Sequence, residues 1–239
     1  MEGHLSAHRD SRLFTRAELA TIPAPEGTET FRPIPHAELV GNVLEGLAFR
    51  HINVVKDEYA VSEDGMKLFG VLDLESGFDG ARYSLGIRNA NDKSMRLAMR
   101  VGYRVFVCDN MSFYGDFTPV LAKHSKHFDL RDALAIGLDR MQRNFEPMRK
   151  QVDGWRQLQL SDERAKLIIY RAFVEGELEV PRHLARVVHQ LYFEPQYPEF
   201  AARTAWSLTN AFTSAFKELD PIPQFKATAK LGGFLSAMN

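Results

Sequence analysis

The sequence predicts an α+β fold, in which a small antiparallel sheet with packed helices is followed by a helical C-terminal half. Three observations predict this class. Runs of alternating apolar and polar residues lie between residues 52 and 88, and glycine-containing turns separate them. From about Leu130 onward, apolar residues recur at helical spacing instead. With 239 residues, 45% of them hydrophobic, the chain can bury a sizeable core.

Three regions follow from the distribution of prolines and apolar residues. Residues 1–35 are predicted to form an extended N-terminal arm, because X-Pro pairs disfavour helix and apolar residues are few. Residues 36–128 are predicted to form an α+β core domain, and residues 129–239 a helical region that packs on this core. A helix is expected over residues 35–49, since proline is tolerated in a first helical turn.

A β-hairpin is predicted from two strand-like runs, residues 52–61 and 66–75. The connection between them contains Asp64-Gly65, which supplies the positive φ that a tight hairpin turn demands. A third strand is predicted over residues 82–88, where apolar and polar residues alternate most regularly. Its polar face carries two arginines, one at each end.

Polar side chains crowd the junction after this third strand. Asn89 and Asn91 indicate a turn, and Asp92 is a candidate helix N-cap. We therefore expect a short helix that begins near residue 93 and ends at Gly102. Its basic residues recur at helical spacing: Lys93, Arg96 and Arg100. Residues 103–108 then predict a strand that is apolar on both faces and hence buried, except at Arg104.

The C-terminal half is predicted as a series of helices. Apolar residues share one helical face from Leu130 to Phe145, and we expect an interruption near Pro147. Ser161 is a candidate N-cap for the next helix. The later helical segments, of which the last is short, are expected at residues 161–175, 182–192, 203–219 and 225–235.

Composition sets bounds on location and chemistry. The chain has 26% charged residues and a net charge of -1, as is typical of globular proteins in solution. The sequence contains no apolar run of the roughly 18 residues that a membrane span needs, and no apolar core of an export signal. We therefore expect a cytoplasmic protein without a membrane partner. Cys108 is the single cysteine, so no intrachain disulfide and no cysteine zinc cluster is expected.

Charge is distributed unevenly along the chain. Residues 38–79 hold nine acids against three bases, whereas residues 82–104 hold six bases against one acid, a local net charge of +5. Residues 123–150 are also basic, with seven bases against four acids. A basic middle of this kind is what binding to a polyanion requires. The alternative is that the acidic hairpin and the basic segment neutralise one another in the folded chain.

Single-stranded nucleic acid is the partner that this basic middle predicts. The side chains expected to bind it are Arg82, Arg88, Asn89, Asn91, Lys93, Arg96, Arg100, Lys123 and Lys126.

The junction also admits a different chemistry. Asp92 and Asp109 are candidate catalytic residues, because a carboxylate can act as a general base. Together with Arg88 and Asn89 they could form a pocket for a nucleotide or another small anion at a helix start. The structural interpretation assigns the same side chains to turn hydrogen bonds, a helix cap and a salt bridge with the hairpin.

Two further arrangements bear on catalysis or metal binding. Cys108 could act as a nucleophile with His124 or His127 as its base, but a lone cysteine that ends an apolar strand is usually only buried. The same two histidines lie three residues apart, yet zinc takes three or four ligands and no third is apparent. We expect no metal and no cofactor, and favour a protein that is not an enzyme.

Several short blocks of this sequence resemble one family of domains of unknown function. The blocks are residues 69–72 (FGVL), 84–89 (SLGIRN), 91–94 (NDKS), 103–110 (YRVFVCDN) and 206–213 (WSLTNAFT). Members of this family are mostly described only as phage/plasmid-like proteins, and the resemblance covers roughly residues 31–236. It implies a protein of mobile elements without implying an activity. At Ala90 this chain departs from the small hydroxyl residue expected after Arg88-Asn89.

Two classes of function are consistent with these observations. The first is a nucleic-acid-binding protein of a mobile element, a single-strand annealing or recombination factor. Its predicted order of strand-strand-strand-helix is broadly similar to the core of Rad52-like annealing proteins. Such a protein would form homo-oligomers. The second is an enzyme or inhibitor that acts on a nucleotide or another small anionic ligand. A third possibility, a protein that binds host defence or replication proteins, leaves no sequence pattern.

Overall fold

A seven-stranded antiparallel sheet lies at the centre of the computed structural model, which describes residues 11–108, 110–113 and 120–237. The strands are β1 (Ser11–Phe14), β2 (Val54–Ser62), β3 (Lys67–Phe78), β4 (Ala81–Ala90), β5 (Leu97–Val105), β6 (Met111–Phe113) and β7 (Val120–Ala122). They are ordered β1-β2-β3-β4-β5-β6. Strand β7 also pairs with β5, so that two short strands share one edge of β5.

Two helices lie between β1 and β2 in the chain, and the others make up the C-terminal half. They are α1 (Arg16–Leu19), α2 (His36–Phe49), α3 (Leu130–Gln157), α4 (Asp162–Phe173), α5 (Leu184–Phe193), α6 (Ala205–Ala215) and α7 (Pro221–Ser236). This architecture confirms the predicted α+β class. No helix within residues 11–108, 110–113 and 120–237 is both long and apolar enough to cross a membrane.

The two faces of the sheet are covered by different helices. We call the face that carries Leu85 and Ile87 the first face, and the face that carries Gly86 and Arg88 the second face. The first face packs on the main core, to which α2, α3 and α6 contribute. For example, Tyr83 of the first face stacks on a phenylalanine of α3 with ring centroids 4.1 Å apart.

The second face is covered by α7. Its apolar cluster consists of Phe69, Val71, Met111, Phe113 and Phe225, the last of which comes from α7. A Cβ atom at Gly86 would lie 2.6 Å from the Phe225 ring and 2.7 Å from the Phe113 ring. The glycine is therefore required for α7 to lie this close to the sheet.

The local predictions with the strongest turn and cap signals are confirmed. The hairpin forms from β2 and β3, and Gly65 in its turn has a φ of +70°. Helix α2 begins one residue after Pro35. Ser161 caps α4, because its side chain accepts a hydrogen bond from the Arg164 N–H. The third predicted strand is β4.

The helix predicted after the junction is wrong, because residues 97–105 form strand β5. Lys93 has a φ of +66°, which is incompatible with the first turn of an α-helix. Downstream of it, large apolar residues alternate with Ala98, Arg100, Gly102 and Arg104, which is the strand period. The third predicted strand, β4, is thus followed by another strand, β5, and the strand-strand-strand-helix order is not formed.

Arg104 was expected to be the exposed exception in a buried strand, and this expectation is also wrong. The residue is only 5% exposed. Its guanidinium forms ion pairs with Glu58 of β2, at 2.6 Å, and with Asp73 of β3, at 2.8 Å. Ser84 donates a further hydrogen bond of 2.6 Å to the Asp73 carboxylate. The charge is buried because two carboxylates, one from β2 and one from β3, accompany it.

Two of the C-terminal helices are longer than predicted, and in both the additional residues include a proline. Helix α3 continues through Pro147, with Met141 and Val152 buried on either side of it. Burial of this face outweighs the ~3 kcal/mol that an internal proline costs. Helix α7 starts at Pro221 and runs for 16 residues, because a proline in the first turn lacks only an N–H that has no helical partner.

Residues 11–35 carry two short elements. Strand β1 pairs antiparallel with β2 at the outer edge of the sheet. Thr15 and Glu18 form a reciprocal capping box at the start of α1. Arg16 joins this segment to the hairpin through an ion pair with Asp57, at 2.9 Å.

Candidate nucleic-acid interface

The turn between β4 and β5 is fixed by Asp92. Its carboxylate accepts hydrogen bonds from the N–H and the hydroxyl of Ser94, at 3.0 and 2.6 Å. It also forms an ion pair with Lys67 at 3.2 Å. Asp92 therefore closes a turn rather than capping a helix, and its charge is engaged. The neighbouring basic residues Lys93 and Arg96 remain exposed.

Asn89 and Asn91 hold the chain before α2 against this end of the sheet. Both side chains are buried, and each donates a hydrogen bond to the Ile34 carbonyl, at 2.8 and 3.0 Å. The Asn91 side-chain oxygen accepts from the Ile34 N–H at 3.0 Å. These predicted binding residues thus position other groups, and neither presents its amide to solvent.

His36 completes this support and is neutral in it. Its Nε2 lies 3.0 Å from the Gly65 carbonyl oxygen, which can only accept, so Nε2 carries the proton. Nδ1 then accepts from the Asn89 amide at 3.0 Å. Burial lowers the pKa of His36 below its usual 6.5.

We expect the folded state to lose stability as the pH falls below about 6.5, because the unfolded chain protonates His36 more readily than the folded chain. Above that pH the contribution is fully present. One proton can give a slope of at most about 1.4 kcal/mol per pH unit. Urea unfolding between pH 7.5 and 5 measures it. His36→Asn should flatten the slope, whereas His127→Asn, at an exposed histidine, should not. Equal slopes in the two variants would contradict the assignment.

An aromatic stack connects the chain before α2 to the segment after β7. Phe31 pairs with Ser125 in an isolated β-bridge, and the Arg32 N–H donates to the His124 carbonyl at 3.2 Å. The Phe31 ring lies parallel to the His124 ring with centroids 5.5 Å apart. The Lys93 ammonium lies 4.9 Å from the centre of the Phe31 ring. Burial and the nearby His36 lower the pKa of His124, so that this stack is neutral at pH 7.

Six basic side chains surround this stack, and we call them the basic rim. They are Arg32, Lys93, Arg96, Lys123, Lys126 and Arg131. They line two clefts of about 450 and 360 Å³. Within the described parts of the chain, no rim side chain forms an ion pair.

The acidic groups near the rim are few. Glu38 and Asp129 line the smaller of the two clefts. Asp129 caps α3, because its carboxylate accepts from the Asp132 N–H at 3.0 Å. Asp92 is engaged with Lys67. The electrostatic field at the rim is consequently positive.

Neutralisation between the acidic hairpin and the basic segment is only partial. Of the six basic residues between positions 82 and 104, only Arg104 forms an ion pair with a described acid. The bases without such a pair lie in three places. Lys93 and Arg96 belong to the rim. Arg88 and Arg100 lie on the second face, near Phe225. Arg82 contacts Phe106 at 5.0 Å, at the other end of β4.

The alternative pocket at the junction does not assemble from the side chains that the structure describes. Arg88 projects from the second face, whereas Asn89 is buried on the first face among the residues that hold Ile34. Asp92 is engaged in its turn, and Asp109 lies outside the described residues. Of the four predicted pocket residues, the three that the structure describes therefore do not converge on one point.

The predicted pair of a Cys108 nucleophile and a His124 base is separated in the fold. Cys108 follows the end of β5, whereas His124 follows β7 at the beginning of β5. The length of β5, nine residues, lies between them. Tyr114 and Phe117, the aromatic residues expected beside the basic loop, lie outside the described residues. Among the residues that the structure describes, no group of three or more His, Cys, Asp or Glu side chains could hold a metal ion.

The sequence did not indicate three members of this site. Phe31, Arg32 and Arg131 come from the predicted arm and from the first turn of α3, far along the chain from the junction. The β-bridge of Phe31 to Ser125, the backbone bond of Arg32 to His124 and the bonds to Ile34 bring residues 31 and 32 to the site. The adjacent aromatic and cation at positions 31 and 32 are the local signal that could have drawn attention to this segment.

A family model with the description Domain of unknown function (DUF932) matches residues 29–229 of the chain. The match includes all six residues of the basic rim, the Phe31–His124 stack and the greater part of α7. No curated protein and no solved structure matches the chain.

Proposed function

This chain belongs to the DUF932 family, a membership that brings no activity with it, and we therefore propose a function from the geometry. The proposed function is the binding of single-stranded nucleic acid along the basic rim. The observation that carries it is the set of six rim cations that pair with no described acid and lie around an aromatic stack. The resemblance to phage/plasmid-like proteins favours a nucleic-acid partner but supplies no residue role.

The electrostatic part of the proposal follows from the free cations. Each phosphate that a lysine or arginine neutralises releases condensed counterions, which favours binding and makes it sensitive to salt. A cation already held by a carboxylate, as Arg104 is, contributes little to such binding. The rim side chains are available because no described acid holds them.

The preference for single strands follows from the stack. Phe31 is half-buried, stacks on His124, lies 4.9 Å from the Lys93 ammonium and lines the larger cleft. Unpaired bases stack on aromatic rings, and each stacked base contributes about 1–3 kcal/mol. In a duplex the bases are stacked on one another and cannot use such a ring.

The double variant Arg96→Gln/Lys123→Gln should bind a fluorescent oligothymidylate at least about tenfold more weakly than the wild type. The slope of log K against log salt should also decrease by about 1.4, since each phosphate contact to a single strand contributes about 0.7. Fluorescence anisotropy over a series of salt concentrations gives both quantities.

The matched control is Arg140→Gln/Arg186→Gln, which removes two exposed arginines of α3 and α5 that have no ion pair among the described residues. It changes the net charge equally and should leave the affinity within about twofold. Wild-type protein that binds no oligonucleotide at low salt would refute the proposal. So would an equal loss in the control, which would mean that only net charge matters.

A further inference from the structure

Two arginines lie side by side on the second face, under α7. Arg88 is opposite Ala98, and Arg100 is opposite Gly86, in the antiparallel pair of β4 and β5. They are therefore diagonal neighbours on one face of the sheet. Both are half-buried, and the Nε atom of each is buried and has no hydrogen-bond partner among the described residues.

No described carboxylate accompanies this pair. Arg104 projects from the same face of β5 and has two carboxylates within 2.8 Å. Arg88 and Arg100 form no ion pair with any described residue. Instead, their guanidinium groups lie 5.8 and 4.7 Å from the centre of the Phe225 ring.

Two like charges in this position are unfavourable, because burial and mutual repulsion both oppose them. Burial lowers the pKa of both arginines, and the charge of Arg88 contributes to lowering the pKa of Arg100 to about 10. A cation–π contact with one ring offsets part of this cost, but it supplies no negative charge. An anion bound between the guanidinium groups would supply it.

A cleft beside α7 leads to Arg100. Its volume is about 610 Å³, and Lys226 of α7 also lines it, without an ion pair to a described residue. The acids of the cleft are Glu179, Glu218 and Asp220. Glu179 is paired with Lys230 at 2.6 Å, and Glu218 lies 3.9 Å from His183. Asp220 is the acid left to oppose Arg100 and Lys226.

We infer that Arg88 and Arg100 form a binding site for a small anionic group, a phosphate or a carboxylate, that enters through the cleft beside α7. Two planar guanidinium groups offer paired N–H donors, which match the oxygen spacing of both groups. The site lies on the second face, apart from the basic rim, and goes beyond the binding of a nucleic-acid strand there.

The test measures the binding of two probes, inorganic pyrophosphate and citrate, by isothermal titration calorimetry at constant ionic strength. At least one probe should bind the wild type saturably, and the tighter one identifies the group as phosphate or carboxylate. The double variant Arg88→Gln/Arg100→Gln should bind it at least about tenfold more weakly. The rim variant Arg96→Gln/Lys123→Gln should bind it as the wild type does.

A second measurement separates ligand binding from a merely structural role. Since neither arginine has an acidic partner, the melting temperature of the glutamine double variant without probe should equal or exceed that of the wild type. A marked decrease would assign the pair to support of Phe225 and overturn the inference. Wild-type protein that binds neither probe, unchanged affinity in the double variant, or loss of binding in the rim variant would also overturn it. Because this test uses no oligonucleotide, its failure is distinguishable from failure of the proposed function.

Discussion

Replacing Arg104 with alanine should lower the free energy of unfolding by about 3–5 kcal/mol, the cost of leaving buried carboxylates without their cation. Asp73 is only 2% exposed, and it lies 2.8 Å from the guanidinium that the substitution removes. Glu58 would lose its 2.6 Å contact at the same time. Ser84 and Lys56 would remain near the carboxylates, but they cannot replace the lost charge between the strands. Equilibrium unfolding in urea measures the loss.

The control for this prediction is Arg82→Ala. Arg82 lies directly opposite Arg104 in the β4–β5 pair and forms no ion pair with a described residue, so its removal should cost less than about 1 kcal/mol. Adding Glu58→Gln and Asp73→Asn to the Arg104 variant should restore part of the stability, because these two positions then hold no carboxylate that lacks its cation. A loss below about 1 kcal/mol for Arg104→Ala would show that water reaches these carboxylates.

Phe225→Ala should lower the free energy of unfolding by about 3–5 kcal/mol, the usual cost of removing a buried phenylalanine side chain. Phe225 is fully buried and contacts the Phe69 and Phe113 rings, with centroids 5.2 and 5.0 Å away. It is also the α7 residue of the second-face cluster and covers Gly86. The substitution leaves a cavity between sheet and helix that backbone glycine cannot fill. Thermal and urea unfolding measure the effect.

Phe49→Ala serves as the matched control, since Phe49 at the end of α2 is 83% exposed. Phe49→Ala removes the same side-chain atoms as Phe225→Ala, but from an exposed position instead of the core. It should change the free energy of unfolding by less than about 0.5 kcal/mol. Similar losses in the two variants would contradict the packing of α7 on the second face. A large loss for Phe225→Ala alone would support it.

Local patterns were sufficient where a single segment decides its own structure. The Asp64-Gly65 turn and the alternation in β4 predicted three strands correctly, and Ser161 predicted the start of α4. They failed at residues 97–102, predicted as the end of a helix, where apolar residues fit both the helical and the strand period. Pairing with β4, which supplies backbone hydrogen bonds along eight residue pairs, decided between them. Such pairing is a tertiary effect, and a short stretch of sequence does not show which strand it will pair with.

The candidate site was predicted in part for the same reason. Lys93, Arg96, Lys123 and Lys126 were expected to bind a polyanion, and they lie together in the folded chain. Their grouping depends on contacts such as that of Ile34 with Asn91, which are 57 residues apart. Likewise, the acids that engage Arg104 but leave Arg88 and Arg100 alone come from β2 and β3. Which cations stay unpaired is therefore decided by the register of the sheet.

The lengths of the outermost strands bear on whether the sheet could template aggregation. Strand β1 at one margin has four residues, and β6 and β7 at the other have three each, whereas the interior strands have nine to twelve. A long exposed strand presents a row of free N–H and C=O groups to which another chain can add. In the part of the chain that the structure describes, such a row spans only three or four residues in each outer strand. Edge-to-edge addition through the described outer strands is thus disfavoured.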